Sequence, residues 1–234
     1  MSEVVSAVIH AAISEVMGAF ACCVACLIGV IICLWGDYKG QQVTLGLGKM
    51  FASGAFLMLG FTAPSPEVGA EHYQLLLCAA LGASALGDLF LVWRSDAALL
   101  RGLGAFLLAH LLFAAAAYSG LSGLSQLGLI SALGAGVALL IGGQILSWLK
   151  PHIPRELWRP SLLYMVVISV MVGACLELAM LRSSWLIAGA ALSFWLSDLS
   201  VARDRFLDEG IKTRLWGIPL YFIAQLMFGL SLYE

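Results

Sequence analysis

Charge is scarce in this 234-residue chain: only 11% of its residues are Asp, Glu, Lys or Arg, against about a quarter in an ordinary soluble domain. That shortage excludes water as the solvent for most of the surface. The net charge of -2 gives no basic field for nucleic acid and no strong bias toward charged macromolecules. Reaction signatures are missing too. There is no H-E-x-x-H, no G-x-S-x-G elbow and no phosphate-binding glycine loop, which argues against a zinc protease, a serine lipase and an ATPase. The pair Cys23 and Cys26 has no companion C-x-x-C, and no metal is expected. All six cysteines, Cys22, Cys23, Cys26, Cys33, Cys78 and Cys175, lie inside apolar stretches, where a thiol packs as a small hydrophobe. The opening SEVVSAVIHAAISEV has Glu3 and Glu15 but no basic residue, so it reads as a short leading helix and not as a cleavable signal.

What the chain does have is apolar length. Hydrophobic residues make up 62%, in runs near the ~20 residues that a helix needs to cross a ~30 Å hydrocarbon core. Crossings are predicted at about 16–35, 43–62, 72–93, 99–119, 124–148, 160–181, 184–202 and 214–232. The runs lack the alternation of a membrane β-barrel, and backbone in lipid must satisfy itself, so helices are the expectation. The predicted fold is an all-α polytopic membrane bundle of eight transmembrane helices, a single integral membrane domain over 1–234. Basic residues alternate loop by loop: Lys39, Arg94, Arg101, Lys150, Arg155, Arg159, Arg203, Arg205, Lys212 and Arg214, ten of the twelve, fall in odd-numbered loops. The odd loops should therefore face the cytoplasm and both termini the other side.

The third span ends ALGASALGDLFLVWR and the seventh ends GAALSFWLSDLSVAR. Superposing Asp88 on Asp198 matches Leu86 with Leu196 and Leu89 with Leu199. The following spans continue the echo, FLLAHLLF around His110 against YFIAQLMF around Gln225. Two parallel four-helix repeats, 16–119 and 124–234, would explain it.

A carboxylate within a span costs about 2.5–3.5 kcal/mol on insertion scales, so Asp88 and Asp198 are the first candidates for chemistry. Each lies roughly 8–9 Å inside the arginine that marks the membrane boundary. Ser84, one turn before Asp88, and Ser197, beside Asp198, are expected to orient the carboxyls. The bland alternative has both aspartates snorkelling to Arg94 or Arg203. His110 and Gln225 fall near mid-membrane, where they either bond between helices or line a shared cavity with Phe106, Phe113, Tyr221 and Phe228. Lys49 opens the second span and can bind an anionic head group or simply snorkel. Tyr164 enters the sixth span from the same side. Glu177, about 6 Å from Arg182, is expected to pair with it at the opposite interface.

Taken in order, Lys49, the S-x-x-G-D-x-x-L of Ser84 to Leu91, the G-x-F-x-x-x-H of Gly104 to His110, Ser197-Asp198 and the Y-x-x-x-Q of Tyr221 to Gln225 resemble the lysoplasmalogenases, eight-span membrane enzymes that include the YhhN-like group. Met50 stands where that family commonly has proline, and Leu112 and Phe113 where it often has tyrosine. The resemblance implies hydrolysis of the vinyl ether bond of a lysophospholipid substrate, the lysoplasmalogen, to a fatty aldehyde and a glycerophospho-head-group alcohol, choline or ethanolamine, with no cofactor. It implies Asp88 and Asp198 as an acid and base pair, provisionally Asp88 the acid, with Lys49, Ser84, Phe106, His110, Tyr164, Ser197, Tyr221 and Gln225 around the substrate. Parallel repeats with midplane polar groups also suit a proton-coupled secondary transporter, although Pro219 has no partner in the fourth span. A lipid-binding scaffold without turnover is the third reading.

Overall fold

Uninterrupted apolar sequence leaves the backbone to bond within its own segment, and it does so as helix throughout. The computed structural model describes residues 2–66, 69–93, 95–121, 128–207 and 210–234. Among the described residues there are eight α-helices and no strand: α1 Ser2–Tyr38, α2 Gln42–Phe61, α3 Glu71–Phe90, α4 Asp96–Gly120, α5 Leu129–Leu149, α6 Arg155–Arg182, α7 Trp185–Leu207 and α8 Ile211–Leu230. Arg94 lies outside the described residues. The protein is an all-α, multi-pass integral membrane bundle.

Three details differ from the expectation. The leading segment is no separate helix but the start of α1, which runs unbroken to Tyr38. Helix α6 begins at Arg155, because Pro160 forgoes only one hydrogen bond near the helix start and does not set its boundary. Among the described residues, seven helices are long and apolar enough to cross a membrane by length and composition alone. The eighth, α8, is as long as α2 and α3 at 20 residues, but Lys212, Arg214 and Gln225 dilute its hydropathy. Of these, Gln225 is buried in the bundle and Arg214 lines the site described below.

Neighbours in sequence pack as pairs, α1 on α2, α3 on α4, α5 on α6 and α7 on α8, and the pairs are joined by α2 with α3, α6 with α7, α4 with α6 and α2 with α8. Lipid offers no hydrophobic drive between helices, so close approach depends on small residues. Gly36 and Gly48 show how tight the α1–α2 seam is: a Cβ at either would strike the facing backbone, that of Leu45 and of Cys33 respectively. This seam fixes the height and rotation of α2, and so of Lys49, the next residue along. Outward-facing side chains such as Phe20, Leu47, Phe61, Leu140 and Leu163 are exposed as lipid contacts. Glu177 does not pair with Arg182. Its carboxylate accepts the Ser131 N–H at 2.7 Å, capping the start of α5, while Arg182 sits over the Tyr73 ring at 4.3 Å.

Candidate active site

Lys49 and Ser53 are one turn apart on α2 and so project from one face. Both reach Asp88 on α3. Lys49 Nζ is 3.3 Å from Oδ1, and Ser53 donates to Oδ2 at 2.7 Å. From α8 the Tyr221 hydroxyl donates to the same Oδ2 at 2.7 Å. Asp88 is 1% exposed, so three donors replace the water it has lost, the condition under which a buried carboxylate is tolerated.

Asp198 on α7 has a different company. His110 Nε2 from α4 lies 2.9 Å from Oδ2, and the Tyr164 hydroxyl from α6 donates to that oxygen at 2.9 Å. His110 and Tyr164 are themselves 3.0 Å apart, so imidazole, phenol and carboxylate form a triangle. Behind the two clusters stands a wall of rings. Phe194 packs against His110 at a centroid distance of 4.4 Å and against Tyr221 at 5.5 Å, and Phe106 meets Tyr221 edge-on at 5.6 Å.

Arg94, one of the two arginines to which the carboxylates could have snorkelled, lies outside the described residues. The carboxylates look into one cavity of about 530 Å³, lined among others by Lys49, Asp88, Phe106, Tyr164, Asp198 and Tyr221. Its mouth lies at the odd-loop end, where Arg214 holds Asp37 at 2.7 Å and Asp204 at 3.0 Å and Arg205 also lines the wall. A second cavity of about 640 Å³ runs between α4, α5, α6 and α7 and is almost wholly apolar, with Leu103, Leu107, Gly142, Ile145 and Ile168 among its walls. Asp198 and Tyr164 line both cavities. They stand at the junction of a polar chamber and an apolar one.

Not every expected residue sits as the sequence suggested. Ser197 lines the polar cavity, but its hydroxyl donates to the Phe194 carbonyl at 2.8 Å within its own helix. Ser84 Oγ bonds nothing in the protein. Ser197 thus bonds the preceding turn of its own helix and Ser84 bonds no protein group, so neither serine orients an aspartate. His110, Ser84 and Gln225 line neither cavity. Ser53, Asp37, Arg214 and Phe194 were not singled out from the sequence. Ser53 was within reach of the same argument as Lys49, being one turn further along its face. Among the described residues no three His, Cys, Asp or Glu side chains gather as a metal centre requires.

The fold and site define a multi-pass helical membrane protein with two carboxylates on one chamber, and comparison with known proteins narrows the class. The YhhN family profile matches residues 47–232. Human lysoplasmalogenase TMEM86B is 31% identical over 86% of this chain and 81% of its own length. The lysoplasmalogenase of Mycobacterium bovis is 33% identical over 73% of this chain and 65% of its own. Lysoplasmalogenase TMEM86A of Bos taurus is 30% identical over 64% of this chain. The match thus spans 62% of the bovine protein's length. No solved structure matches the chain. The chain belongs to the YhhN family, among relatives named as lysoplasmalogenases.

Proposed function

We propose that this protein is a lysoplasmalogenase: it hydrolyses the vinyl ether bond of a lysoplasmalogen, releasing a fatty aldehyde and a glycerophospho-head-group alcohol. The observation that carries the reading is the junction at Asp198 and Tyr164. A lysoplasmalogen has a charged head, a single alkenyl chain and a reactive bond between them. The polar cavity suits the head, with Lys49, Arg205 and Arg214 near the phosphate, and the apolar cavity suits the chain. The reactive bond then falls between the two carboxylates.

The chemistry follows from that placement. Vinyl ether cleavage begins with a proton delivered to the outer alkene carbon, the one bearing the chain. Asp198 borders the chain cavity and shares hydrogen bonds with an imidazole and a phenol, groups that can pass a proton. This supports Asp198 as the proton donor through Oδ1, while its Oδ2 accepts from His110 and Tyr164. The oxocarbenium ion so formed gains water at the carbon next to oxygen, and Asp88 accepts the proton that this water loses. The hemiacetal then breaks its carbon–oxygen bond to the glycerol: Asp88 returns its proton to the leaving oxygen and Asp198 takes the hydroxyl proton, which gives aldehyde and alcohol and restores both carboxyls. Two carboxyls dividing acid and base labour resemble the logic of glycosidases. The sequence had left the two roles nearly interchangeable with Asp88 favoured as acid; the cavities favour the opposite assignment.

Orientation and ancestry fit the same scheme. The odd-loop end, where the polar chamber opens, faces the cytoplasm, a reading that the distribution of Lys and Arg supports. The halves 16–119 and 124–234 are repeats: each aspartate is held by the second helix of one half and the fourth helix of the other, α2 and α8 for Asp88, α6 and α4 for Asp198. That symmetry also serves a proton-coupled carrier, so the test must see chemistry. Purified protein given a lysoplasmalogen should release aldehyde. Asp88→Asn and Asp198→Asn should each abolish release while the protein stays folded; aldehyde release undiminished in both would sink the two-carboxyl mechanism, and none from the native protein would favour the carrier or scaffold.

A further inference from the structure

Ser84, His110 and Gln225 stand behind the cavities with 0% exposure, yet Ser84 Oγ, His110 Nδ1 and both amide atoms of Gln225 meet no partner within the protein. Buried polar groups are rarely left so. Three in one region call for a common cause.

Helix geometry puts them in one layer. Phe106, His110 and Phe113 follow one face of α4 at i, i+4 and i+7, and Tyr221, Gln225 and Phe228 follow one face of α8 at the same spacing. The outer members meet across the bundle, Phe106 with Tyr221 at 5.6 Å and Phe113 stacked on Phe228 at 4.0 Å. His110 and Gln225 therefore occupy the level between two aromatic rungs. Ser84 reaches that level from α3. It precedes Asp88 by one turn just as Gln225 follows Tyr221 by one turn, α3 and α8 run oppositely, and Asp88 and Tyr221 are bonded at 2.7 Å.

We infer that Ser84, Gln225 and His110 Nδ1 enclose a bound water, and that Gln225 acts through it to hold His110 in one tautomer. An internal water takes two to four polar partners, and these neutral groups supply donors and acceptors without a charge that would call for an ion. The bonding balances. His110 Nε2–H donates to Asp198, leaving Nδ1 as an acceptor; the water donates to Nδ1 and to Gln225 Oε1, and the Ser84 hydroxyl donates to the water. Which ring nitrogen carries the proton is set by what the other is bonded to. Gln225 is thus a positioning residue for the acid, a role that rests on the function proposed above, whereas the hydration site does not.

The test uses the full chain in nanodiscs, labelled with 15N-histidine and without substrate, the His110 signals being identified by their loss in His110→Gln. Native protein should show protonated Nε2 and a hydrogen-bonded, unprotonated Nδ1. Gln225→Met should move the Nδ1 signal toward that of an unbonded nitrogen, Ser84→Ala should do so to a smaller extent, and Gln225→Glu, which keeps an acceptor, should largely restore it. In turnover, Gln225→Met should lower kcat about tenfold with KM unchanged. An unaltered Nδ1 signal in a folded Gln225→Met protein overturns the inference; if that variant does not fold, an unaltered signal in Ser84→Ala does. The spectrum reads the hydration site even where no aldehyde is made, so its failure and the failure of the lysoplasmalogenase reading are distinguishable.

Discussion

Removing a single oxygen, by Tyr221→Phe, tests the Asp88 cluster most sharply. The ring is held from several sides, edge-on to Phe56 at 6.4 Å, to Phe106 at 5.6 Å and to Phe222 at 4.9 Å, so phenylalanine should keep its place. What is lost is the 2.7 Å bond to Asp88 Oδ2 and a weaker one to the Ser84 carbonyl at 3.3 Å. A hydrogen bond to a charged group contributes about 1.5–3 kcal/mol. Since Lys49 and Ser53 remain on Asp88, the lower end applies, and about 1.5 kcal/mol corresponds to about a tenfold fall in turnover. The assay is aldehyde release at saturating lysoplasmalogen, with thermal unfolding measured alongside. Ser53→Ala removes the other donor to the same oxygen, so the double variant should depart from additivity by about 0.5 kcal/mol or more. Full turnover in Tyr221→Phe, or strict additivity with Ser53→Ala, would refute the claim that these hydroxyls hold a working carboxylate.

Lys49→Met should be harsher, because it leaves Asp88 buried beside no cation; breaking a buried pair from one side costs about 3–5 kcal/mol, seen as a lower unfolding midpoint and lost aldehyde release, and a midpoint unchanged from the native protein would contradict the burial argument. Gly48→Val drives a branched side chain into the backbone of Cys33 and should destabilise by about 1–3 kcal/mol, read by thermal unfolding in detergent. Gly142 lines the apolar cavity from α5, where an added Cβ would come within 2.9 Å of Met165 Sδ. Gly142→Leu should therefore shift preference toward shorter alkenyl chains, each methylene displaced from the cavity weakening binding by about 0.8 kcal/mol; an unchanged chain-length profile would place the chain elsewhere.

The distribution of what was legible follows from what a bilayer encodes. Hydropathy and the alternation of Lys and Arg are one-dimensional signals, so the helices were readable, and Asp88, Asp198 and His110 were conspicuous because polar groups at that depth are costly. Partners were not readable, because in lipid every helix is apolar on most faces and no amphipathic stripe announces its neighbour. Ser84 and Ser197 look like the natural companions of the aspartates along the chain, yet the groups that bond them, Ser53, Tyr221, Tyr164 and His110, lie 34 to 133 positions away. Arg214 and Asp37 are 177 residues apart and meet only because α8 packs on α1. Arg214 read as a loop charge for the same reason that α8 read as an ordinary span: sequence depth separates a boundary residue from an interior one, but not a residue facing lipid from one at the mouth of a chamber. The tyrosines carry the same lesson in reverse. Tyr164 drew notice only for entering its span from the same side as Lys49, and Tyr221 as an aromatic of a cavity wall; the geometry gives each one carboxylate to hold, from a helix that belongs, on the repeat reading, to the same half in the first case and to the other half in the second. The two aspartates thus have unlike settings, and unlike settings are what an acid and a base require of two otherwise identical side chains.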